Sequence, residues 1–288
     1  MITLAELKQD VELSQGLGEV VDILKTAALI QFRTLQTMQG YQEEFRKELE
    51  RSLSAILSLR ELPHYYLMNR KQLPSILLVM TSEEGFVGEL NTLLINEALN
   101  KRQSPRDEIV ILGERGTRYL EDMKEIFVSF PGISDDMKYQ EMEEIRDYIL
   151  KRYREEYGRV LAIYPEFQSL TSQTIKSVAL LPYLGKDKKQ QGQDSFLIEE
   201  ILIGPSPKKV LEGLIHFWLG FRLLEIFRSA KQSEVAARIM HLEGSTQELS
   251  FLNQKLSLAY FRQVHNLSDK TIRELSGAKI LLGKRSTR

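Results

Sequence analysis

All eight prolines of this chain lie within residues 63–207, so both flanks are free of the residue that breaks helices. In the N-terminal flank, apolar residues recur every three or four positions over Leu4–Ile56. The C-terminal flank repeats this spacing over Val235–Ala259. Such spacing is typical of the apolar seams of coiled coils. We therefore expect a long amphipathic helix in each flank.

The length of these helices requires that their apolar stripes find cover. A helix over residues 2–60 would be roughly 88 Å long at about 1.5 Å per residue. The opposite flank is the obvious partner, so we expect the two ends of the chain to form an antiparallel coiled coil. Gly16 and Gly18 weaken the first helix locally and mark either a bend or a close contact between helices. The segment Val210–Phe227 is apolar on nearly all sides and is predicted to be buried, with Trp218 as a core residue.

The middle of the chain alternates strand-like and helix-like segments, which is typical of an α/β domain with a mainly parallel sheet. The predicted strands are Ser75–Thr81, Asp107–Leu112, Arg159–Tyr164 and Phe196–Ile203. The predicted helices are Glu89–Asn100, Glu114–Lys124 and Asp136–Tyr157, and the polar stretch Lys186–Asp194 is predicted to be a loop. We accordingly divide the chain into an N-terminal helix (1–62), an α/β domain (63–207) and a C-terminal helix (208–288).

Charge is distributed unevenly, although the net charge of the whole chain is only -1. Residues 1–60 carry seven Lys/Arg and nine Asp/Glu, whereas residues 208–288 carry fourteen and seven, a net charge of +7. A basic C-terminal arm suggests an acidic partner surface, and a solvated helix face is the alternative. No apolar run reaches the ~20 residues that span a bilayer. Because cysteine is absent, disulfides and thiolate chemistry are excluded.

The sequence offers little support for an enzyme. The glycine loop in Leu78–Asn91 contains only Gly85-x-x-Gly88, and Glu83, Glu84 and Glu89 place carboxylates where a phosphate would bind. The histidines are His64, His216, His241 and His265, and none has the spacing of a known metal motif. The acidic cluster around Glu141 is typical of a solvated helix face. We predict no catalytic residue, no metal and no cofactor.

Four segments, in order along the chain, resemble the gamma subunits of F-type ATP synthases. TSEEGFVGELN (Thr81–Asn91) resembles the family's T-S-D-x-G-L-C-G-G-F-N, and SEVAARIMHLEGST (Ser233–Thr246) resembles S-E-x-A-A-R-M-x-A-M-x-x-A-T. FRQ and LSGAKIL near the end match its R-Q and V-S-G-A segments. ILKTAALIQFR (Ile23–Arg33) lies where the family has M-K-M-V-A-A, and it is most similar to the alternate bacterial branch, also called N-ATPase.

This resemblance implies a non-catalytic rotor shaft that couples ion flow through a membrane ring to ATP synthesis or hydrolysis. Terminal helices wind around each other beside a Rossmann-like α/β domain, and the far end of the shaft sits in a hexamer of alpha and beta subunits. The middle domain, with the epsilon subunit, stands on the membrane c-ring. The implied location is peripheral, on the cytoplasmic face of a bacterial inner membrane. The chain departs from the family in an acidic N-terminal arm and in its C-terminal signature, where Ser268, Lys270 and Arg273 replace Thr, Glu and Glu.

In the family, acidic loops of the beta subunits push against the shaft, and cations of this chain are candidates to meet them. The candidate partner-contact residues are Lys25, Arg33, Lys255, Arg262, Gln263, Lys270 and Arg273. The residues assigned to a structural turn of the middle domain are Thr81, Ser82, Gly85, Gly88 and Asn91. Two alternatives stay open at this point: a gamma-like coiled-coil adaptor outside the motor, and a Rossmann-like enzyme that binds a small molecule.

Overall fold

A computed structural model describes residues 3–37, 42–57, 63–134, 139–184, 204 and 206–285. Its helices are α1 Leu4–Thr37, α2 Gln42–Leu57, α3 Leu90–Lys101, α4 Glu114–Asp122, α5 Tyr139–Glu155 and α6 Pro207–Arg285. Its strands are β1 Ser75–Met80, β2 Glu108–Leu112, β3 Phe127–Phe130, β4 Arg159–Ser169 and β5 Ser172–Leu181. The mixture of α/β elements and long terminal helices confirms the predicted fold class.

The chain divides into two compact units. The terminal unit comprises residues 1–27 and 241–288, and the middle unit comprises residues 28–240. The middle unit contains the sheet together with α2 to α5 and the first part of α6.

The five strands form one sheet in the order β3-β2-β1-β4-β5. The first three pairings in that order are parallel, and β4 and β5 form an antiparallel hairpin. A mainly parallel sheet was expected, but β3 and β5 were not. β3 has only four residues, and β5 lies at the edge of the sheet, where its exposed and half-buried residues do not give a clear apolar alternation.

The core of the middle unit lies on both faces of the sheet. Residues Ile76–Met80 of β1 are at most 1% exposed, as expected for a central parallel strand covered on two sides. On one face, Leu77 and Val79 share a cluster with Leu94 of α3. On the other face, β1 belongs to a larger cluster that includes residues of α2, α5 and α6.

The apolar segment at the start of α6 is buried on one side. Leu211, Ile215, Leu219 and Leu223 are all 0% exposed and belong to the larger cluster. Trp218 is half-buried at the border of the core, where it packs against this cluster and edge-on against the ring of Tyr183 at 4.7 Å between centroids. Phe217 is 54% exposed, so the prediction that the whole segment is buried is wrong on that side.

The terminal helices differ in detail from the expected ones. α1 and α2 both lie within the predicted helix over 2–60, and residues 38–41 between them lie outside the described part. α1 is continuous through Gly16 and Gly18, and a Cβ added at either would meet nothing within 4 Å. Of the two alternatives for these glycines, a bend or a close contact between helices, the close contact is therefore excluded. The predicted loop at 186–194 and strand at 196–203 lie outside the described residues.

Within the described ranges, none of the helices combines the length and the apolar character needed to cross a membrane.

Candidate functional site

In the terminal unit, α1 and α6 run antiparallel to each other. The Lys25 Nζ lies 3.2 Å from Glu243 Oε2, and the Thr246 hydroxyl donates to Asp22 Oδ1 at 3.3 Å. From Lys25 back to Asp22 on α1, the partner on α6 moves forward from Glu243 to Thr246, so the two helices run in opposite directions. The hydrogen bond between Lys25 and Glu243 raises the pKa of Lys25 and lowers the pKa of Glu243.

Most of the predicted partner-contact cations are exposed on α6. Arg262 and Arg273 are exposed, and Lys270 is exposed with a long ion pair of 4.0 Å to Glu274. Lys255 lies over the ring of Phe251, with Nζ 4.1 Å from the centroid. Arg262 and Arg273 thus leave their charged ends available to another molecule, whereas Lys255 and Lys270 each have a contact within α6.

The remaining predicted contacts have different surroundings. Gln263 is half-buried in the terminal unit, and Arg33 is exposed on the part of α1 that belongs to the middle unit. Lys25 is only 22% exposed at its side chain and pairs with both Asp22 and Glu243. Its charge is therefore already engaged within the chain.

The turn after β1 is closed by its own side chains. The backbone N–H of Ser82 donates to Asn91 Oδ1 at 3.0 Å, and Asn91 Nδ2 donates to the Ser82 hydroxyl oxygen at 2.8 Å. Thr81 is held by its backbone N–H, which donates to the carbonyl of Leu112 at 2.9 Å. Gly88 has a φ of 59°, a left-handed conformation that favours glycine.

Gly85 of the same turn lies close to Arg115. A Cβ added to Gly85 would lie 3.1 Å from Arg115 Nη2, so a larger residue would need that side chain to move.

The position that a phosphate would take at the start of α4 is occupied by a carboxylate of the chain. Glu83 Oε2 accepts hydrogen bonds from the backbone N–H groups of Glu114 and Gly132, at 3.0 and 2.9 Å. A helix N-terminus favours a negative group, and Glu83 supplies it. The start of α4, rather than the start of the helix α3 that follows the glycine loop, is therefore the anion position that Glu83 fills.

The buried guanidinium of Arg238 joins this turn to two helices. Its Nη2 donates to Glu234 Oε1 of α6 at 2.6 Å, and its Nη1 donates to Gln31 Oε1 of α1 at 3.3 Å. It also donates from Nε to the carbonyl of Gly85 at 3.2 Å and pairs with Glu84 at 3.1 Å. We call this set of contacts, from Gln31, Glu84, Gly85, Glu234 and Arg238, the Arg238 junction.

Apolar packing and the hydroxyl group of Ser233 reinforce the junction. Phe32 and Leu35 of α1 cluster with Val235 and Ile239 of α6. The Ser233 hydroxyl donates to the carbonyl of Pro165 at the end of the buried part of β4, at 3.0 Å. α6 is therefore fixed to α1 and to the sheet at the same level of the middle unit.

Glu234 is a buried carboxylate between two cations. Burial raises its pKa, while Lys231 and Arg238 on either side oppose that rise. Lys231 Nζ lies 3.5 Å from Glu234 Oε2. These three residues were not predicted to form a site. Their spacing of three and four was the available signal, because oppositely charged residues at these distances lie on the same side of a helix and can pair.

The crevice at the carboxyl ends of β1 and β4, where the strand order reverses, is filled by α6. In open α/β sheets, ligands usually bind at this point. Here the cavity bordered by Thr81, Pro165, Lys231 and Glu234 measures only about 10 Å³. That volume is close to one water molecule and is far too small for a nucleotide.

A larger cavity of about 250 Å³ lies among α2, β5 and α6. Its charged residues pair with one another: Arg46 with Glu50 at 2.9 Å, Arg46 with Glu225 at 3.1 Å, and Arg222 with Glu225 at 2.8 Å. These groups do not converge on a common point where a reacting molecule would be held. No group of residues with metal-ligand geometry occurs in the described part of the chain.

Comparisons with known proteins agree on one family. The family described as ATP synthase matches residues 3–264. The ATP synthase gamma chain of Clostridium beijerinckii is 30% identical over 203 residues, which is 69% of each chain. That of Clostridium pasteurianum is 23% identical over 285 residues, covering 97% of this chain and 98% of the relative.

Solved structures with a similar fold come from mitochondrial ATP synthases. A chain in the OSCP/F1/c-ring structure of Euglena gracilis superposes with a TM-score of 0.72 at 15% identity, covering 99% of this chain and 96% of that one. A chain of the Euglena gracilis rotor structure gives 0.67 at 16% identity, covering 92% and 98%. At such identities the likeness shows the fold alone.

Proposed function

This chain belongs to the ATP synthase gamma-chain family, and from that premise we propose that it works as the turning shaft of a rotary F-type ATP synthase. The observation that carries this proposal is the antiparallel pairing of α1 with α6 in the terminal unit, seen in the contacts of Lys25 and Asp22. Two helices that bury each other's apolar stripes supply the stiffness that a shaft requires.

We assign the terminal unit to contact with the alpha and beta subunits. Residues 1–27 carry two Lys/Arg and five Asp/Glu, and residues 241–285 carry seven and four. The two helices therefore have net charges of -3 and +3, so a rotating shaft would present a different charge to each catalytic subunit in turn. Exposed ion pairs contribute only about 0–1 kcal/mol each, which lets the shaft leave every contact.

The contact residues of this proposal are the exposed cations Lys255, Arg262, Lys270 and Arg273, together with Gln263. Arg33 joins them as an exposed cation of α1. Lys25 has a supporting part, because its ion pair with Glu243 ties the two helices together.

We assign the middle unit to contact with the epsilon subunit and the membrane c-ring. Torque between these partners and the hexamer must be transmitted from the sheet of the middle unit to the long helices. The Arg238 junction supports this assignment, because its hydrogen bonds link α6, α1 and the turn at Thr81–Asn91. We place the turn residues in this structural role, and we propose the division 1–62, 63–207 and 208–288 as functional parts.

We further propose that the chain itself catalyses no reaction and needs no cofactor. The filled crevice at the carboxyl ends of β1 and β4 and the carboxylate at the start of α4 support this view. ATP turnover then belongs to the partner subunits, and the complex lies on the cytoplasmic face of a bacterial inner membrane. The adaptor and enzyme alternatives are not favoured, because the family match extends over nearly the whole chain.

Reconstitution tests the proposed function directly. The chain would be assembled with its alpha, beta and epsilon subunits, and a probe would be attached to a cysteine introduced at Asp122 on the exposed side of α4, since the chain has none of its own. We expect ATP to drive continuous rotation of the probe. A stable complex that hydrolyses ATP while the probe stays still would overturn the proposal.

A further inference from the structure

The side of α1 that faces away from α6 in the terminal unit carries an exposed apolar stripe. We call it the outer face of α1. Its apolar residues, with exposed fractions from 37% to 68%, are Leu13, Leu17, Val20, Ile23 and Leu24. The opposite side of the same helix contains Leu7 and Ser14, which are 8% and 4% exposed. The outer face is therefore not the seam that the chain uses for its own pairing.

Carboxylates border this stripe on both sides. At about 100° per residue, Glu12 and Glu19 fall along one edge of the stripe, and Asp10 falls along the other. All three are exposed. The apolar stripe and its acidic edges have different effects on binding. Burial of the stripe lowers the free energy of the complex, and the charges of the edges decide which partner surfaces can bury it.

The acidic edges are largely unneutralised within the chain. Glu12 pairs with Lys8 at 3.7 Å, but Asp10 and Glu19 make no ion pair with any side chain that the structure describes. The basic stretch of α6 does not supply the missing cations. The ion pair that crosses between the helices has the opposite sense, with its lysine on α1 and its glutamate on α6.

These charges determine what kind of surface can cover the stripe. Nucleic acid and anionic lipid would be repelled by Asp10, Glu12 and Glu19. A protein groove with an apolar floor and acidic rims would bring like charges together. A protein groove with an apolar floor and rims of lysine or arginine satisfies both parts of the surface.

We propose that the outer face of α1 docks against such a basic-rimmed apolar groove, formed by the alpha/beta hexamer. The identity of the partner rests on the proposed function. The partner groups that contact α1 are then positively charged, whereas those that contact Arg262 and Arg273 on α6 are negatively charged. During a turn, each catalytic subunit would meet an acidic helix and a basic helix alternately, and would need both basic and acidic groups to hold them.

Carbodiimide cross-linking of the assembled complex tests this proposal, because the reagent joins a carboxylate to a lysine only where the two are in contact. We expect Asp10 and Glu19 to be linked to lysines of the alpha or beta subunits, and the links to disappear in the variant D10N/E19Q. Arginine rims would give no links but would still lose affinity on charge reversal. Absence of links together with wild-type binding by D10K/E19K would therefore overturn the proposal.

Charge reversal gives a second measurement on the same complex. The variant D10K/E19K is expected to bind the alpha/beta hexamer about two- to thirty-fold more weakly, because it loses two exposed ion pairs. Reversing the linked partner lysines to glutamate should restore binding. The control E121K/D122K makes the same charge change on exposed residues of α4 and should bind normally.

The two proposals fail in different ways. If the wild-type chain assembles and rotates while D10K/E19K binds as tightly as wild type, the docking proposal is overturned and the rotor function stands. If the wild-type chain does not assemble with the hexamer at all, the proposed function itself fails.

Discussion

Arg238 shows what a sequence pattern conveys about a single side chain. It lies in the segment that resembles the family, and its distance of four residues from Glu234 predicts a pair on one helix. Its contacts with Gly85 and Gln31 bridge separations of 153 and 207 residues. No local spacing contains that information, so the junction could be found only in the folded chain.

Tyr148 gives a prediction at the scale of one residue. Its hydroxyl donates to Glu108 Oε2 at 3.1 Å, and burial, followed by the nearby Glu108 charge, raises its pKa to about 12. The ordinary value in an unfolded chain is about 10. The folded state thus holds the proton more tightly, so the stability from this group is present below pH 10 and is lost as the pH rises towards 12.

The free energy of unfolding is expected to fall between pH 9 and pH 11, and we expect this fall to be smaller in Tyr148→Phe than in the wild type. The difference should be at most about 1 kcal/mol, because the group is partly exposed and solvent screens it. Urea unfolding at the two pH values measures it. Tyr119→Phe, at another half-buried tyrosine of the middle unit, controls for the loss of one phenol. An unchanged pH dependence in Tyr148→Phe would contradict the assignment.

Among the elements, the long helices and the buried strands were predictable, because each has a strong pattern. The absence of proline and the spacing of three and four predicted α1 and α6, and continuous apolar runs predicted β1 and β2. β3 and β5 carry weaker signals, since their residues are only partly buried. Edge strands are defined by their neighbours in the sheet more than by their own sequence.

A prediction at the scale of elements concerns the contact of α1 with α6 in the middle unit. Leu35 is 1% exposed and belongs to the cluster with Val235 and Ile239, whereas Ile30 of the same helix is 62% exposed. We expect Leu35→Ala to lower the free energy of unfolding by about 2–5 kcal/mol, because it leaves a cavity. Ile30→Ala should change it by about 0.5 kcal/mol or less.

Denaturant unfolding of the two variants, followed by circular dichroism, makes this comparison. Equal losses in both variants would show that the cluster does not hold α1 to α6. The comparison is matched, because the helix is the same and both changes shorten an aliphatic side chain to alanine.

For the whole molecule, the central prediction concerns how the shaft couples to its partners. Arg262 and Arg273 are exposed on α6, and neither side chain makes a hydrogen bond or an ion pair with the described residues of the chain. We expect R262Q/R273Q to lower the torque of the motor, or its coupling ratio, which is the number of ions moved for each ATP turned over. The denaturation midpoint of the chain should stay unchanged.

Single-molecule rotation against a viscous load measures the torque. K71Q/K151Q removes the same charge from exposed residues of the middle unit and should rotate as wild type does. Normal torque and coupling in R262Q/R273Q would remove these arginines from the contact surface. The sequence indicated the charge of this surface, whereas the geometry of the contact depends on residues of another chain.

The antiparallel pairing in the terminal unit also has a consequence for biosynthesis. Asp22 and Thr246 are 224 residues apart, so the ribosome makes the partner of α1 near the end of translation. At about 5–20 residues per second, the apolar seam of α1 waits about 11–45 s for its cover. During that interval the seam of a nascent chain is exposed to aggregation, which ends when the last helix emerges and covers it.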